Sequence, residues 1–161
     1  MKLYHGSPFL FDTIDLSLSK DKRDFEKGFY TTTFENQARQ WAESICLQYD
    51  KGICYLYEYE FEIDDELDIK TFEDYSMDWL DMIFVNRIKG DTQHRFDVVI
   101  GPVADDKIRR TLNLFLKGQD SAQHTLEKLK YNKPNNQVSF HTDKALTKLL
   151  FVRRTEWKIS A

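Results

Sequence analysis

The sequence contains only two cysteines, Cys46 and Cys54, which excludes a fold held together by a disulfide framework. Neither cysteine has a CxxC partner, and the four histidines are too widely separated for an HExxH motif, so no metal site is expected. Neither cysteine lies in a recognisable nucleophile context. We interpret both as small buried hydrophobic residues in a reducing compartment.

Long apolar runs are also missing from the sequence. No stretch approaches the ~18 apolar residues that a transmembrane helix requires. The N-terminal segment MKLYHGSPF contains no apolar signal region. These absences predict a cytoplasmic protein with no membrane partner.

The charge and motif content narrow the function classes further. The net charge of -4 lacks the basic excess typical of proteins that bind nucleic acid, although 23 Lys and Arg residues leave a local basic patch open. The chain has no GxxxxGK(S/T) motif for a P-loop and no GxGxxG motif for a Rossmann site. A nucleotide site in this chain would therefore use neither a P-loop nor a Rossmann glycine motif.

The composition that is present fits one globular domain. The 161 residues are 41% hydrophobic, 31% charged and 14% aromatic, so residues 1–161 can bury a core with large rings. Predicted strands cover 2–5, 28–33, 53–63, 96–100, 137–140 and 151–157, and predicted helices cover 35–49, 76–88, 105–116, 121–129 and 143–149. This irregular order favours an α+β domain with antiparallel strands and a helical insertion at about 105–130.

Three segments carry local chemistry that suggests a site. His5 follows a short strand and precedes Gly6, so a ring and an open backbone lie together. Tyr30 comes just after a glycine, and Gln137 begins a strand after two asparagines. Taken singly, each has a structural explanation: His5 as a strand end, Tyr30 as core packing and Gln137 as a tie for the turn.

At these residues the sequence resembles the His-Tyr-Glu branch of the ADP-ribosyltransferase superfamily. Poly(ADP-ribose) polymerases carry a His-Gly step, then FGKGIYFA, then an Asn-Glu strand start. Here these become His5-Gly6, FEKGFYTT at 25–32, and Asn136-Gln137. A bacterial family of uncharacterised domains assigned to that superfamily is more similar still, with LYHGS, DFGKGFYLT, a WL…NR helix, VIGPVADD and NNQ…FHT in the same order along nearly the whole chain.

The resemblance implies a split antiparallel β-sandwich with flanking helices and with NAD, as substrate, in the cleft between the sheets. By analogy, His5 would bind the adenosine ribose, the Gly6 backbone would hold the nicotinamide amide, and Tyr30 would stack near the nicotinamide. Trp41, eleven residues after Tyr30, is either a second stacking aromatic or helix core. Arg23 either reaches the pyrophosphate or is an exposed loop arginine.

Two departures from the family pattern bear on activity. Gln137 replaces the usual glutamate, and the loss of a unit charge at about 4 Å is worth about 4 kcal/mol, or roughly a thousandfold in rate. The chain then reacts slowly in a single transfer, recruits a carboxylate such as Asp24 or Asp143, or is inactive. Glu26 replaces a glycine, as either an exposed change or a change of loop conformation.

Three functions follow from this resemblance. The first is a bacterial mono-ADP-ribosyltransferase that acts as a toxin on a protein or nucleic acid and is paired with a small antitoxin protein. The second is an NAD-binding or protein-interaction module without turnover, which Gln137 favours. The third is an NAD glycohydrolase with water as the acceptor.

Overall fold

The computed structural model describes residues 1–90, 94–104, 106–129 and 134–160, except for the side chains of 106–109. The strands are β1 (Lys2–Ser7), β2 (Phe29–Thr31), β3 (Ile53–Phe61), β4 (Ile69–Thr71), β5 (Val98–Gly101), β6 (Gln137–Phe140) and β7 (Leu149–Lys158). The α-helices are α1 (Glu35–Gln48), α2 (Met77–Lys89), α3 (Asp106–Leu116), α4 (Ala122–Leu129) and α5 (Asp143–Leu146). Two sheets and five helices confirm the predicted α+β class.

Strand β3 is the centre of the first sheet, whose order is β1-β3-β7 with antiparallel pairs. Its alternating sequence places Tyr57 and Tyr59 on the face toward the second sheet. Glu58 points to the opposite face and is only 4% exposed, because Lys2 and Arg153 form ion pairs with its carboxylate. The outer strand β7 is exposed along most of its length.

The second sheet has the order β2-β6-β5-β4. Its β2-β6 and β5-β6 pairs are antiparallel, but β4 and β5 are parallel, so the prediction of antiparallel strands is wrong for this pair. The reason is the connection between them, which contains α2 and is long enough for a crossover. The three-residue strand β4 was not predicted from the sequence at all.

The second sheet separates two hydrophobic cores. One core lies between the sheets and includes Phe29, Tyr59 and Phe140. The other core lies on the opposite face, where α2, α3 and α4 pack, and contains Trp79, Leu112 and other apolar residues. A third small cluster joins α1 to β3 through Cys46 and Cys54, both free and buried, which confirms their interpretation as buried small residues.

Helices α3 and α4 meet at Gly118, whose φ of 72° lies in the left-handed region that glycine adopts easily. The Ser121 hydroxyl caps α4 by accepting a hydrogen bond from the His124 N–H at 3.1 Å. Leu112 and Leu129 are buried in the second core together with Trp79 of α2 and Val99 of β5, so this helical segment contributes to that core. The two ends of the predicted insertion, 105 and 130, lie outside the described residues.

Candidate functional site

Among the described residues, the edges of the two sheets are joined by one backbone bridge, beyond which β1 and β2 are not paired. Tyr4 of β1 and Thr32, just after β2, exchange two backbone hydrogen bonds of 2.8 and 2.9 Å. Continuing this antiparallel pairing by two residues along each strand would bring Gly6 opposite Tyr30. No backbone hydrogen bond joins them, so the split between the sheets opens at these two residues, both of which were predicted site residues.

Gly6 presents its backbone to this split. Tyr4 directs its N–H and C=O toward β2, and because backbone directions repeat every two residues in a strand, Gly6 directs its own groups to the same side. A Cβ atom on Gly6 would lie 2.1 Å from the carbonyl oxygen of Ala38, so only glycine fits between β1 and α1. The position thus combines an open backbone with close helix packing.

His5 fastens the two sides of the split. Its Nδ1 donates to the Tyr30 carbonyl oxygen at 2.6 Å, since a carbonyl can only accept. The ring stacks on Phe29 at 4.2 Å and meets Phe11 edge-on at 5.9 Å. Burial lowers the pKa of His5 to about 4. The ring is therefore neutral at pH 7, and its Nε2 is an acceptor with no hydrogen-bond partner within the described part of the chain.

Tyr30 holds the loop that precedes it. Its hydroxyl donates to the Glu26 carbonyl at 2.5 Å and accepts from the Phe25 N–H at 3.1 Å. Burial, together with the nearby Asp24 charge, raises the pKa of Tyr30 well above its usual value. The guanidinium of Arg23 lies 5.9 Å from the centre of the Tyr30 ring and is half-buried, so the alternative of a fully exposed loop arginine is wrong.

Gln137 lies at the start of β6, buried on the same side of the sheet as Tyr30. Its Nε2 donates to Asp24 Oδ2 at 3.0 Å and to the Pro102 carbonyl at 3.1 Å. Both neighbours are acceptors, which fixes which end of the amide is nitrogen. Its Oε1 has no hydrogen-bond partner among the described residues and is not fully buried, although the residue as a whole is only 7% exposed.

Asp24 is the centre of this polar cluster. Arg87 of α2 forms a bidentate ion pair with Oδ1 through Nε, at 2.9 Å, and Nη2, while the Ala104 N–H donates to Oδ2 at 3.2 Å. Asn86 donates to the Asp24 backbone carbonyl at 2.8 Å. The sequence suggested Asp24 as a carboxylate that could be recruited but did not predict its position. In the structure it is hydrogen-bonded to Gln137.

The roles of Asn86 and Arg87 were missed at the sequence level. They lie more than sixty residues from Asp24 in the chain, so no local pattern connects them. Their adjacency in the WL…NR helix was the one available signal. By contrast, Asp143 is exposed in the first turn of α5, and the structure does not bring it to the cluster.

Glu26 is 3% exposed, so the alternative of an exposed tolerated change is wrong. Its φ of 70° is left-handed, a conformation that glycine adopts at little cost, so the alternative of a changed loop conformation concerns a backbone position suited to glycine. The side-chain Oε1 accepts a hydrogen bond from the Lys22 N–H at 2.9 Å and so holds the loop backbone.

Comparison with known families identifies the family of the chain but assigns it no activity. A family profile described as "Protein of unknown function (DUF3990)" matches residues 1–151. The chain belongs to the DUF3990 family. No curated protein and no solved structure matches this DUF3990 chain. The match spans every predicted site residue from His5 to Gln137, and the family description gives them no role.

Trp41 of the DUF3990 chain is 43% exposed and belongs to none of the hydrophobic cores, so the alternative that it is helix core is wrong. It lies one helical turn after Gln37 on the same flank of α1. Gln37 Nε2 donates to the Asn136 carbonyl at 2.8 Å, next to Gln137. The exposed indole is therefore on the flank of α1 nearest the start of β6, and its stacking role stays a prediction.

Two histidines fix the loop from the other side. His141 Nδ1 donates to the Lys27 carbonyl at 2.6 Å, and Nε2 lies 2.7 Å from the Ser139 hydroxyl. His94 Nε2 donates to the Phe25 carbonyl at 2.9 Å. Burial, with the adjacent His94, lowers the pKa of His141 to about 4, so the ring is neutral at pH 7.

A cavity of about 290 Å³ adjoins His5, because Phe11 and Tyr57, which pack on the His5 ring, form part of its wall. Arg154 and Asp12, which form an ion pair of 3.9 Å, also line it. A second cleft of about 490 Å³ lies between α2 and α4 and contains no predicted site residue. No helix in the described ranges is long and apolar enough to cross a membrane.

Proposed function

We propose that this DUF3990 chain is an NAD-dependent mono-ADP-ribosyltransferase with an ADP-ribosyltransferase-like split β-sandwich. The observation that carries the proposal is the split between β1 and β2. There the backbone N–H and C=O of Gly6 point toward Tyr30 without a backbone hydrogen bond to it. The nicotinamide carboxamide offers one acceptor and two donors, which complement this backbone pair. The Tyr30 ring would then lie beside the nicotinamide.

The groups around the split suit the remaining parts of NAD. The neutral His5 Nε2 can accept a hydrogen bond from a ribose hydroxyl. Arg23 supplies a guanidinium beside Tyr30 for the pyrophosphate. The cavity next to His5 gives room for the adenosine, and Trp41 is a candidate second stacking ring.

The proposed reaction breaks the bond between the nicotinamide nitrogen and C1′ of its ribose. The bonding electron pair moves to the pyridinium nitrogen, so nicotinamide leaves as a neutral molecule. A hydroxyl, amine or ring nitrogen of the acceptor forms the new bond to C1′ and loses its proton to solvent. Gln137 Oε1 would accept a hydrogen bond from a hydroxyl of the same ribose and thereby hold C1′ in place.

The test is incubation of the purified protein with labelled NAD, with and without cell lysate. We expect nicotinamide release and label transfer that fall at least tenfold in Tyr30→Ala and Gln137→Ala. Tyr49→Ala is the matched control, because Tyr49 is 44% exposed at the end of α1. Protease and nuclease digestion then separate protein from nucleic-acid acceptors, and absence of NAD binding would overturn the proposal.

A second candidate function is an NAD-binding module without turnover. The ion pair between Arg87 and Asp24 favours it, because the carboxylate beside Gln137 is already compensated. Tight NAD binding with no nicotinamide release is the result expected for this alternative. An NAD glycohydrolase would instead release free ADP-ribose with no labelled macromolecule.

The toxin hypothesis adds a partner, a small antitoxin protein. A toxin that transfers ADP-ribose should arrest growth when expressed in bacteria, and Tyr30→Ala should relieve the arrest. Co-expression of genes adjacent to the coding sequence would identify an antitoxin by restored growth. Normal growth with active soluble enzyme would remove the toxin hypothesis and leave the transferase proposal intact.

A further inference from the structure

We propose that Asp24 is a positioning residue for Gln137, and that the two side chains act as one unit in which the loop supplies the charge and the strand supplies the acceptor. This inference rests on the proposed function and names how the same site works without a glutamate on β6. The juxtaposition that carries it is the 3.0 Å hydrogen bond between Asp24 Oδ2 and Gln137 Nε2.

The first step concerns the orientation of the amide. A glutamine side chain can present either end toward a ligand, and the two choices differ by a rotation that costs little in water. Here Asp24 and the Pro102 carbonyl both accept from Nε2, so the amide is held with Oε1 outward. Only this orientation offers a hydroxyl an acceptor, as a glutamate would.

The second step concerns the charge. Asp24 is 8% exposed, and a hydrogen bond to a carboxylate in such surroundings is stronger than one between neutral groups. Hydrogen bonds in a chain polarise one another, so the Asp24 charge increases the negative character of Oε1 across the amide. Arg87 holds the other oxygen of the carboxylate, Oδ1, and the Ala104 N–H donates to Oδ2 beside Gln137.

Replacement of Asp24 by asparagine exposes this dependence, because the two residues have the same shape. If the new asparagine keeps its oxygen toward Arg87, its NH₂ group faces two donors, Gln137 Nε2 and the Ala104 N–H, and donors cannot bond to each other. Gln137 would then rotate, placing its NH₂ toward the ligand. We expect Asp24→Asn to lower kcat for nicotinamide release roughly tenfold or more, with KM for NAD changed by less than about threefold.

Replacement of Gln137 by glutamate reverses what residue 24 must supply: a hydrogen-bond donor instead of an acceptor. The glutamate would set two carboxylates about 3 Å apart, so one must take up a proton or move away. Gln137→Glu alone should therefore lose activity, although it introduces the glutamate of the His-Tyr-Glu pattern that the sequence resembles. Adding Asp24→Asn should restore part of kcat and Tm in that background, because the asparagine NH₂ can donate to the new carboxylate. The Pro102 carbonyl and the Ala104 N–H each lose a partner, so the recovery should be incomplete.

The experiment measures kcat, KM and Tm for the wild type, both single variants and Asp24→Asn/Gln137→Glu in the full chain. Asp143→Asn is the matched control, an exposed aspartate outside the cluster. Arg87→Gln separates the ion pair from the amide contact, and it should lower Tm with a smaller loss of kcat than Asp24→Asn.

The diagnostic result is a change of sign: Asp24→Asn is harmful when residue 137 is glutamine and helpful when it is glutamate. Equal effects of Asp24→Asn in both backgrounds, or equal kcat losses in Asp24→Asn and Arg87→Gln, would overturn the inference while the transferase stands. Failure of wild type and Asp143→Asn alike to release nicotinamide would overturn the proposed function and this inference with it.

Discussion

The two faces of the second sheet differ in how their buried groups are satisfied. The inner face is apolar and aromatic, with Phe29, Val138 and Phe140 packed against tyrosines and phenylalanines of the first sheet. The outer face also has an apolar core, but it contains the buried polar cluster of Asp24 and Gln137, held by directional hydrogen bonds. The same short strands thus support two kinds of interior.

This difference teaches where specificity resides. An apolar interior accepts substitutions of similar volume, whereas a buried polar cluster loses its geometry when one donor becomes an acceptor. The cluster on the outer face is also next to the split at Gly6 and Tyr30. We therefore expect changes on the inner face away from His5 and its neighbouring cavity to alter stability alone, and changes in the polar cluster to alter stability and NAD chemistry together.

The largest expected effect is on the inner face. Phe140 is fully buried, and its ring meets Phe61 edge-on at 5.0 Å. Phe140→Ala should lower the free energy of unfolding by about 4 kcal/mol through lost burial and a cavity, as measured by urea denaturation. The control is Phe151→Ala, whose 59% exposed ring should cost less than about 1 kcal/mol. Similar losses in both variants would contradict the assignment of the core.

Asp24→Ala should lower the free energy of unfolding by slightly less, about 3 kcal/mol, because it leaves the Arg87 charge without its partner and removes one of the two acceptors of Gln137 Nε2. Unlike Phe140→Ala, it should also abolish nicotinamide release from the folded protein. Glu58→Ala is the comparison variant, since its partner Arg153 is 69% exposed and can return to water. If Asp24→Ala and Glu58→Ala lower the free energy of unfolding equally, the buried cluster around Asp24 contributes no more to stability than an ion pair with an exposed partner.

Gly6→Ala comes next, because the added Cβ would lie 2.1 Å from the Ala38 carbonyl oxygen and α1 must shift. Overpacking of this kind costs about 2 kcal/mol, and the displaced strand should weaken NAD binding in a titration. Gly52→Ala is the matched control, because no atom lies within 4 Å of its Cβ position. A Gly6→Ala protein as stable as Gly52→Ala would show that the helix and strand are not in contact.

The smallest effect concerns pH. The folded-state pKa of His5 and that of His141 are both about 4, below the usual 6.5, so the unfolded chain binds more protons between these values. The stability due to these neutral rings is complete above about pH 6.5 and is lost as pH falls toward 4. Urea denaturation from pH 7 to 5 should show this decline, with a shallower slope in His141→Gln than in exposed His124→Gln.

The sequence predicted the parts of the fold that depend on local pattern. The alternation of Tyr57, Tyr59 and Phe61 predicted β3, and the run from Gln137 to Phe140 predicted β6 with its bounds. Strand β4 was missed because three residues with no buried side chain leave no periodic signal. Its parallel pairing with β5 depends on the crossover through α2, which no local pattern specifies.

The site was predictable to the level of its residues but not of its contacts. Gly6 and Tyr30 were found through motif order, and the bridge between Tyr4 and Thr32 explains why they face each other. The contact between Asp24 and Gln137 joins positions 113 residues apart, so it exists only once β6 and the loop have folded together. The role of NAD remains a proposal that rests on this geometry.

Strand β7 bears on how the protein behaves at high concentration. Its outer edge pairs with no strand among the described residues, and Leu150, Phe151 and Val152 are each about half exposed. A straight apolar edge of this kind is a template for intermolecular β-sheet and aggregation. Here Val152 interrupts the register as a bulge, and two arginines follow it. We expect the bend to hinder a second molecule from extending the ladder along this edge.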